Sequence, residues 1–95
     1  MRIEFDAAKS AKNANDRGLP FELVADFDWS KAFVIPDRRR DYGEDRFTAV
    51  GPLDARLHVV CYCLRGEARR IISFRKANKR EERNYEKARS EAADR

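Results

Sequence analysis

The spacing of apolar positions changes twice along this 95-residue chain. Residues 2–5 read as a short extended entry. Asp6 is a good helix N-cap, "AAKSAKNANDR" is rich in helix formers, and Gly18 is placed to stop that helix. Pro20 fits the first turn of a second helix, "PFELVADF", with Phe21, Val24 and Ala25 on one face. The period then shortens towards two. "KAFVIP" reads as a strand closed by Pro36, and "EDRFTAVG" and "ARLHVVCYCLR" as two strands joined by "PLD". "RRIISF" is a fourth strand after the turn "RGEA", and "DRRRDYG" is a polar loop. From about Lys76 the pattern is helical again, with Tyr85, Ala77, Ala88 and Ala92 as inward candidates and fraying beyond about residue 89.

The order is two helices, four strands, one helix. Short links between successive strands predict an antiparallel meander, so the expected fold class is α+β, one domain over residues 1–95, with the helices mainly on one face of the sheet. Side chains alternate across a strand. Phe47 and Ala49 then share one face; Arg46, Thr48 and Val50 share the other. Leu57, Val59, Cys61 and Cys63 form an apolar face opposite His58, Val60 and Tyr62, and Ile72 and Phe74 look inward opposite Ile71, Ser73 and Arg75. Helices on the apolar face would leave Arg46, His58, Tyr62, Ser73 and Arg75 together on the open one, subject to register.

Charge sharpens this picture. Of the chain's residues 40% are charged and the net charge is +4. Residues 69–89 hold nine cations against three anions, or +6, which leaves −2 for the rest. A basic end on a slightly acidic body suits a polyanion or an acidic protein partner. Lys76, Lys79 and Arg80 crowd a helix start whose dipole is already positive, and Lys79 and Arg83 repel at i,i+4. No apolar run approaches 18 residues and the N-terminus has no apolar signal core, so neither a membrane span nor a signal peptide is expected. Cys61 and Cys63, about 6.6 Å apart along one strand face, read as buried free thiols of a reducing cytoplasm. With a single distant histidine they make a poor metal site, and no cofactor is expected.

The open-face set has the parts for RNA cleavage without a metal. A base takes the ribose 2′-hydroxyl proton, arginines hold the scissile phosphate, and an acid protonates the leaving 5′-oxygen. Arginine suits the phosphate; His58 or Tyr62 suits proton transfer, and Tyr62 can also stack on a base. Plainer readings stand beside these. Arg75 can pair with Glu81 or Glu82, His58 can be incidental, Tyr62 can be packing, and "DRRRDYG" can be a charged loop, although its three arginines are also able to touch an RNA backbone.

Three stretches, "IEFDAAKSAKNANDRGLPFELVADFDW", "RRDYGEDRFTAVGPLDARLHVVCYCLRG" and "RRIISFRKANKREERNYE", together resemble the BrnT toxins of BrnT–BrnA type II toxin–antitoxin systems, over roughly residues 2–86. The most specific piece, "RIISFRKANKRE", is close to the family's I-S-x-R-x-A-x-x-x-E signature. The resemblance implies a RelE/ParE-like fold and a small cytoplasmic ribonuclease that arrests growth. It also implies a BrnA-like antitoxin with a ribbon-helix-helix domain, through which the pair acts on operator DNA. By motif, the family's toxicity-associated arginines fall on Arg46, Arg65 and Arg75, and the signature glutamate on Glu81. Relatives commonly carry K-H-G where this chain has Asp16-Arg17-Gly18, and arginine cannot replace a proton-transferring histidine. The alternative to an active enzyme is therefore a weak or inactive homologue that keeps antitoxin and nucleic-acid binding for operon control.

Overall fold

The structure is a computed structural model that describes residues 2–93. Strand β1 (Arg2–Glu4) leads into helix α1 (Ala7–Arg17), followed by 3-10 helices at Phe21–Asp26 and Trp29–Lys31. Strands β2 (Phe33–Pro36), β3 (Arg46–Leu53), β4 (Arg56–Arg65) and β5 (Ala68–Lys76) come next, and helix α2 (Lys79–Ala93) closes the chain. The sheet order is β1-β5-β4-β3-β2. The expected meander is present in β2 to β5, but the sheet has five strands and is mixed. The entry segment pairs in parallel with β5, Arg2 opposite Ala68. Helix α2 continues past the expected fraying point to Ala93; the frayed ending expected at 94–95 lies outside the described residues.

Helix α1 is capped as its sequence requires. Asp6 Oδ1 accepts from the Lys9 amide at 3.0 Å, and Gly18, at φ 71°, closes the C-terminus with its amide on the Ala14 carbonyl. Polar ties dock it. Ser10 Oγ donates to Glu22 at 2.8 Å and accepts from the Phe21 amide at 2.8 Å, while Asn13 donates to the carbonyls of Leu19 and Phe74 at 2.7 and 2.9 Å.

The second expected helix is a 3-10 helix. Pro20 precedes it in an extended conformation, and the buried residues are Phe21, Val24 and Phe27 rather than Ala25. An apolar repeat of three matches the three residues per turn of a 3-10 helix, and every third side chain enters the core.

Strand β4 lies between β5 and β3, and Val59 through Cys63, which point alternately to both faces, are all buried. The core under α1 and the 3-10 helices contains Ala49, Val60, Tyr62, Ile71 and Phe74 with Leu19, Phe21, Val24 and Phe27. This reverses the expected faces of β4. A bulge explains β5: Cys61 pairs with Ser73 but Tyr62 pairs with Ile71, so Ile72 is the extra residue and Ile71 and Phe74 both turn inward. The helices are not confined to one face either. Helix α2 crosses the opposite one, where Tyr85 meets Phe33 edge-on and donates to the Lys31 carbonyl at 2.8 Å.

Gly51 packs closely against the core. A Cβ there would stand 2.9 Å from Phe27 Cζ and 3.1 Å from the Ala32 backbone. Gly51→Ala should therefore cost about 1–3 kcal/mol by overpacking. Urea denaturation measures this, and an unchanged midpoint would contradict the packing.

Candidate active site

Strand β5 passes into α2 through a short, tied-down connection. The Ala77 amide donates to the Leu57 carbonyl at 3.0 Å, and Arg56 Nη2 donates to the Ala77 carbonyl at 3.2 Å. Asn78 caps the helix. Its Oδ1 accepts from the Glu81 amide at 2.8 Å while Glu81 Oε1 accepts from the Asn78 amide at 2.9 Å, a reciprocal capping box. The same Glu81 carboxylate receives Arg75 end-on, Nη1 to Oε1 and Nη2 to Oε2, both 2.8 Å. The Arg75 guanidinium holds the Glu81 carboxyl below the usual carboxylate range. The plainer expectation for Arg75, pairing with Glu81, is thus part of the site.

A second arginine–carboxylate pair stands across from it, on the loop between β2 and β3. Asp37 is buried, and its amide donates to the Arg46 carbonyl at 2.8 Å. Arg39 donates from Nε to Oδ1 at 2.9 Å and from Nη2 to Oδ2 at 2.8 Å, and the Tyr42 hydroxyl adds a bond to Oδ2 at 3.3 Å. Arg39 above all holds the Asp37 carboxyl down at about 2. Between the two pairs lies an open cleft of about 350 Å³, floored by Thr48, Val59, Cys61 and Ser73. Burial pushes the Cys61 thiol above its usual pKa, so it is a protonated part of the floor.

Arg46 and Arg65 lie further along the same face. Arg46 Nε bonds Glu44 at 3.2 Å, and Arg65 approaches the same carboxylate at 3.9 Å. Cys63, opposite Arg46, is four residues along β4 from Val59, opposite Arg75, which is roughly 13 Å of strand. Tyr42 bridges that interval. The Arg46 guanidinium sits 3.9 Å from its ring centroid, and its hydroxyl reaches Asp37. Arg65, Arg46, the Tyr42 loop and Arg75 therefore form one basic track instead of one cluster. Lys76, Lys79 and Arg80 are exposed at its α2 end.

His58 and Tyr62 do not join this track. Both project into the opposite face, under α1 and the 3-10 helices, with 4% and 5% of their surface exposed. His58 Nδ1 faces the Arg56 carbonyl at 2.8 Å, and burial holds the ring's pKa below the usual imidazole range. Tyr62 stacks on Phe47 and meets Trp29 edge-on. Their expected grouping with Arg46 and Arg75 is corrected by the true orientation of β4. Arg17, where the resemblance led to the expectation of a histidine, lies near the Phe74 carbonyl on the α1 side. The residues missed in the sequence are Asp37, Arg39 and Tyr42; the only signal was the run of three arginines in their loop.

Folding lowers the Asp37 pKa from 3.8 to about 2, so the folded chain takes up this proton later than the unfolded one. The pair's contribution is complete above about pH 4 and is lost as pH falls towards about 2. Asp37→Asn should flatten the dependence of melting temperature on pH in that window; an unchanged slope would contradict the pairing.

A family model for the ribonuclease toxin BrnT of type II toxin–antitoxin systems matches residues 5–81. The match takes in both arginine–carboxylate pairs and stops at Glu81, where the body of α2 begins. No curated protein and no solved structure matches the chain. Ribonuclease activity and a protein antitoxin are the attributes of that family, and among the described residues no helix is long and apolar enough to cross a membrane. With the family model spanning most of the sequence and the cleft inside it, the chain belongs to the BrnT ribonuclease toxin family.

Proposed function

We propose that this chain is a metal-independent endoribonuclease that cleaves RNA in the cleft beside Arg75. The observation that carries the proposal is a guanidinium fixed by Glu81 at the wall of an open cleft. In-line attack of a ribose 2′-hydroxyl on the adjacent phosphorus, its proton passing to water, forms the new P–O2′ bond as the P–O5′ bond breaks and water protonates the leaving 5′-oxygen, while negative charge grows on the non-bridging oxygens. Arginine has five N–H donors. Arg75 directs two at Glu81 and one at the Lys76 carbonyl, so two remain for phosphate. Fixed donors aimed at developing charge stabilise the transition state without reorganising. Glu81, held below its usual pKa, is a weak base and positions Arg75 instead of taking the proton. Arg46 and Arg65 hold flanking phosphates, and Lys76, Lys79 and Arg80 guide the strand.

Metal independence rests on the donor set. The two carboxylates lining the cleft, Asp37 and Glu81, each commit both oxygens to arginine. The partner is a BrnA-like antitoxin with a ribbon-helix-helix domain, whose acidic segment covers the basic track and through which the pair contacts operator DNA. The buried free thiols suit a reducing cytoplasm. We adopt the RelE/ParE kinship implied by the resemblance as part of the proposal. A second reading, an inactive binding module, is favoured by one observation: the chain's single histidine is buried on the face opposite the cleft.

Expression without antitoxin should arrest growth, and the purified protein should cleave RNA in EDTA. Arg75→Ala should lower cleavage about 100-fold or more while the thermal melt keeps its shape. Cleavage that needs an added divalent ion would refute metal independence. Salt-sensitive RNA binding with intact RNA would establish the second reading.

A further inference from the structure

The far wall of the cleft is built at a cost that an ordinary loop does not require. Asp37 places a carboxylate with 2% side-chain exposure beneath a guanidinium that is 78% exposed. Burying a charge is expensive unless it is paired, and a pair with one exposed partner returns little stability. What the arrangement supplies is orientation. Asp37 takes Nε and one Nη2 hydrogen of Arg39, leaving three of five donors free. The Asp37 amide and the Tyr42 hydroxyl tie the loop to β3 and to this carboxylate. Arg39 lines the same cleft as Arg75, and the two like charges oppose one another across it. Each is held edge-on or end-on by its own carboxylate. Two oriented guanidiniums that line one open space, each with donors not committed to its own carboxylate, form a receptor for an anion.

We propose that Arg39, oriented by the buried Asp37, is the second arm of a guanidinium clamp that grips the RNA sugar–phosphate backbone opposite Arg75. This rests on the cleft being the place where RNA is held. Pre-orientation matters because ordering a long side chain at the moment of binding costs affinity. Arg39 touches substrate; Asp37 is a positioning residue that acts through it. Lysine at position 39 keeps the charge but has no fork with which to span Asp37 and phosphate together.

The test uses the full chain, a 2′-O-methyl oligonucleotide for binding and an unmodified RNA for cleavage. Arg39→Ala should weaken binding about tenfold and reduce the salt slope by about one phosphate's share. Arg39→Lys should recover the slope but not the cleavage rate. Should the alanine variant fold poorly, Arg39→Gln, which keeps a donor for Asp37, must show the same loss. Lys12→Ala removes one charge on the α1 side and should bind as the parent does. Asp37→Asn is the sharpest arm. It raises the net charge by one, so bulk attraction predicts tighter binding, whereas the clamp predicts weaker binding. Tighter binding by Asp37→Asn, or unaltered RNA binding and cleavage by Arg39→Ala, overturns the clamp; if Arg75→Ala is then still impaired, the ribonuclease reading stands. Loss of binding in Arg39→Ala by a parent protein that cleaves nothing supports the clamp and sinks the ribonuclease reading.

Discussion

Glu81 joins three things that would otherwise be independent. Its amide and carboxylate complete the capping box that starts α2, and its carboxylate fixes the Arg75 guanidinium. A carboxylate in the first turn of a helix is also favoured by the positive end of the dipole. One residue therefore sets where β5 ends, where α2 begins and which way the cleft's arginine points. It answers part of the electrostatic problem posed by Lys76, Lys79 and Arg80, because the helix start carries a built-in anion. The rest of that cationic charge stays open to solvent and to a polyanion.

The sheet's two faces carry different work. The face under α1 takes the aromatic and aliphatic core, including Tyr62, with the buried His58 ring beside Phe74, and is held in part by polar ties such as Ser10 to Glu22. The other face is only partly covered, by α2 towards β2 and by the Tyr42 loop towards β3. Between those covers lies the cleft, floored by small side chains of β3, β4 and β5. Arginine chemistry sits there because the loop and the helix start each bring a carboxylate to hold it.

The local features were legible. Asp6 and Gly18 bracket α1 as their chemistry demands, the strands of the meander fall where the apolar runs lie, and Arg75 and Glu81 stand out by motif. What escaped was non-local or depended on backbone irregularity. The extended conformation of β1 was legible, but its parallel pairing with β5, Arg2 opposite Ala68, is non-local and no local period reveals it. The run Val59–Cys63 is apolar on both faces, and alternation cannot orient a strand buried on both sides. The extra residue at Ile72 breaks the period of β5. Phe21, Val24 and Ala25 at i, i+3 and i+4 suit an α-helical face, whereas the residues that enter the core, Phe21, Val24 and Phe27, repeat every three as a 3-10 helix does. Arg39 was invisible as a site because its direction is set by Asp37 through a loop conformation that composition does not specify.

The most direct measurement follows the arginine side-chain Nε–H signals of the intact protein by NMR as a non-cleavable oligonucleotide is added. If RNA phosphate seats in the cleft that Glu81 organises, the Arg75 signal shifts with saturation while that of Arg17, on the α1 side, stays still. An Arg75 signal unmoved at saturating RNA would place the substrate elsewhere and contradict the assignment.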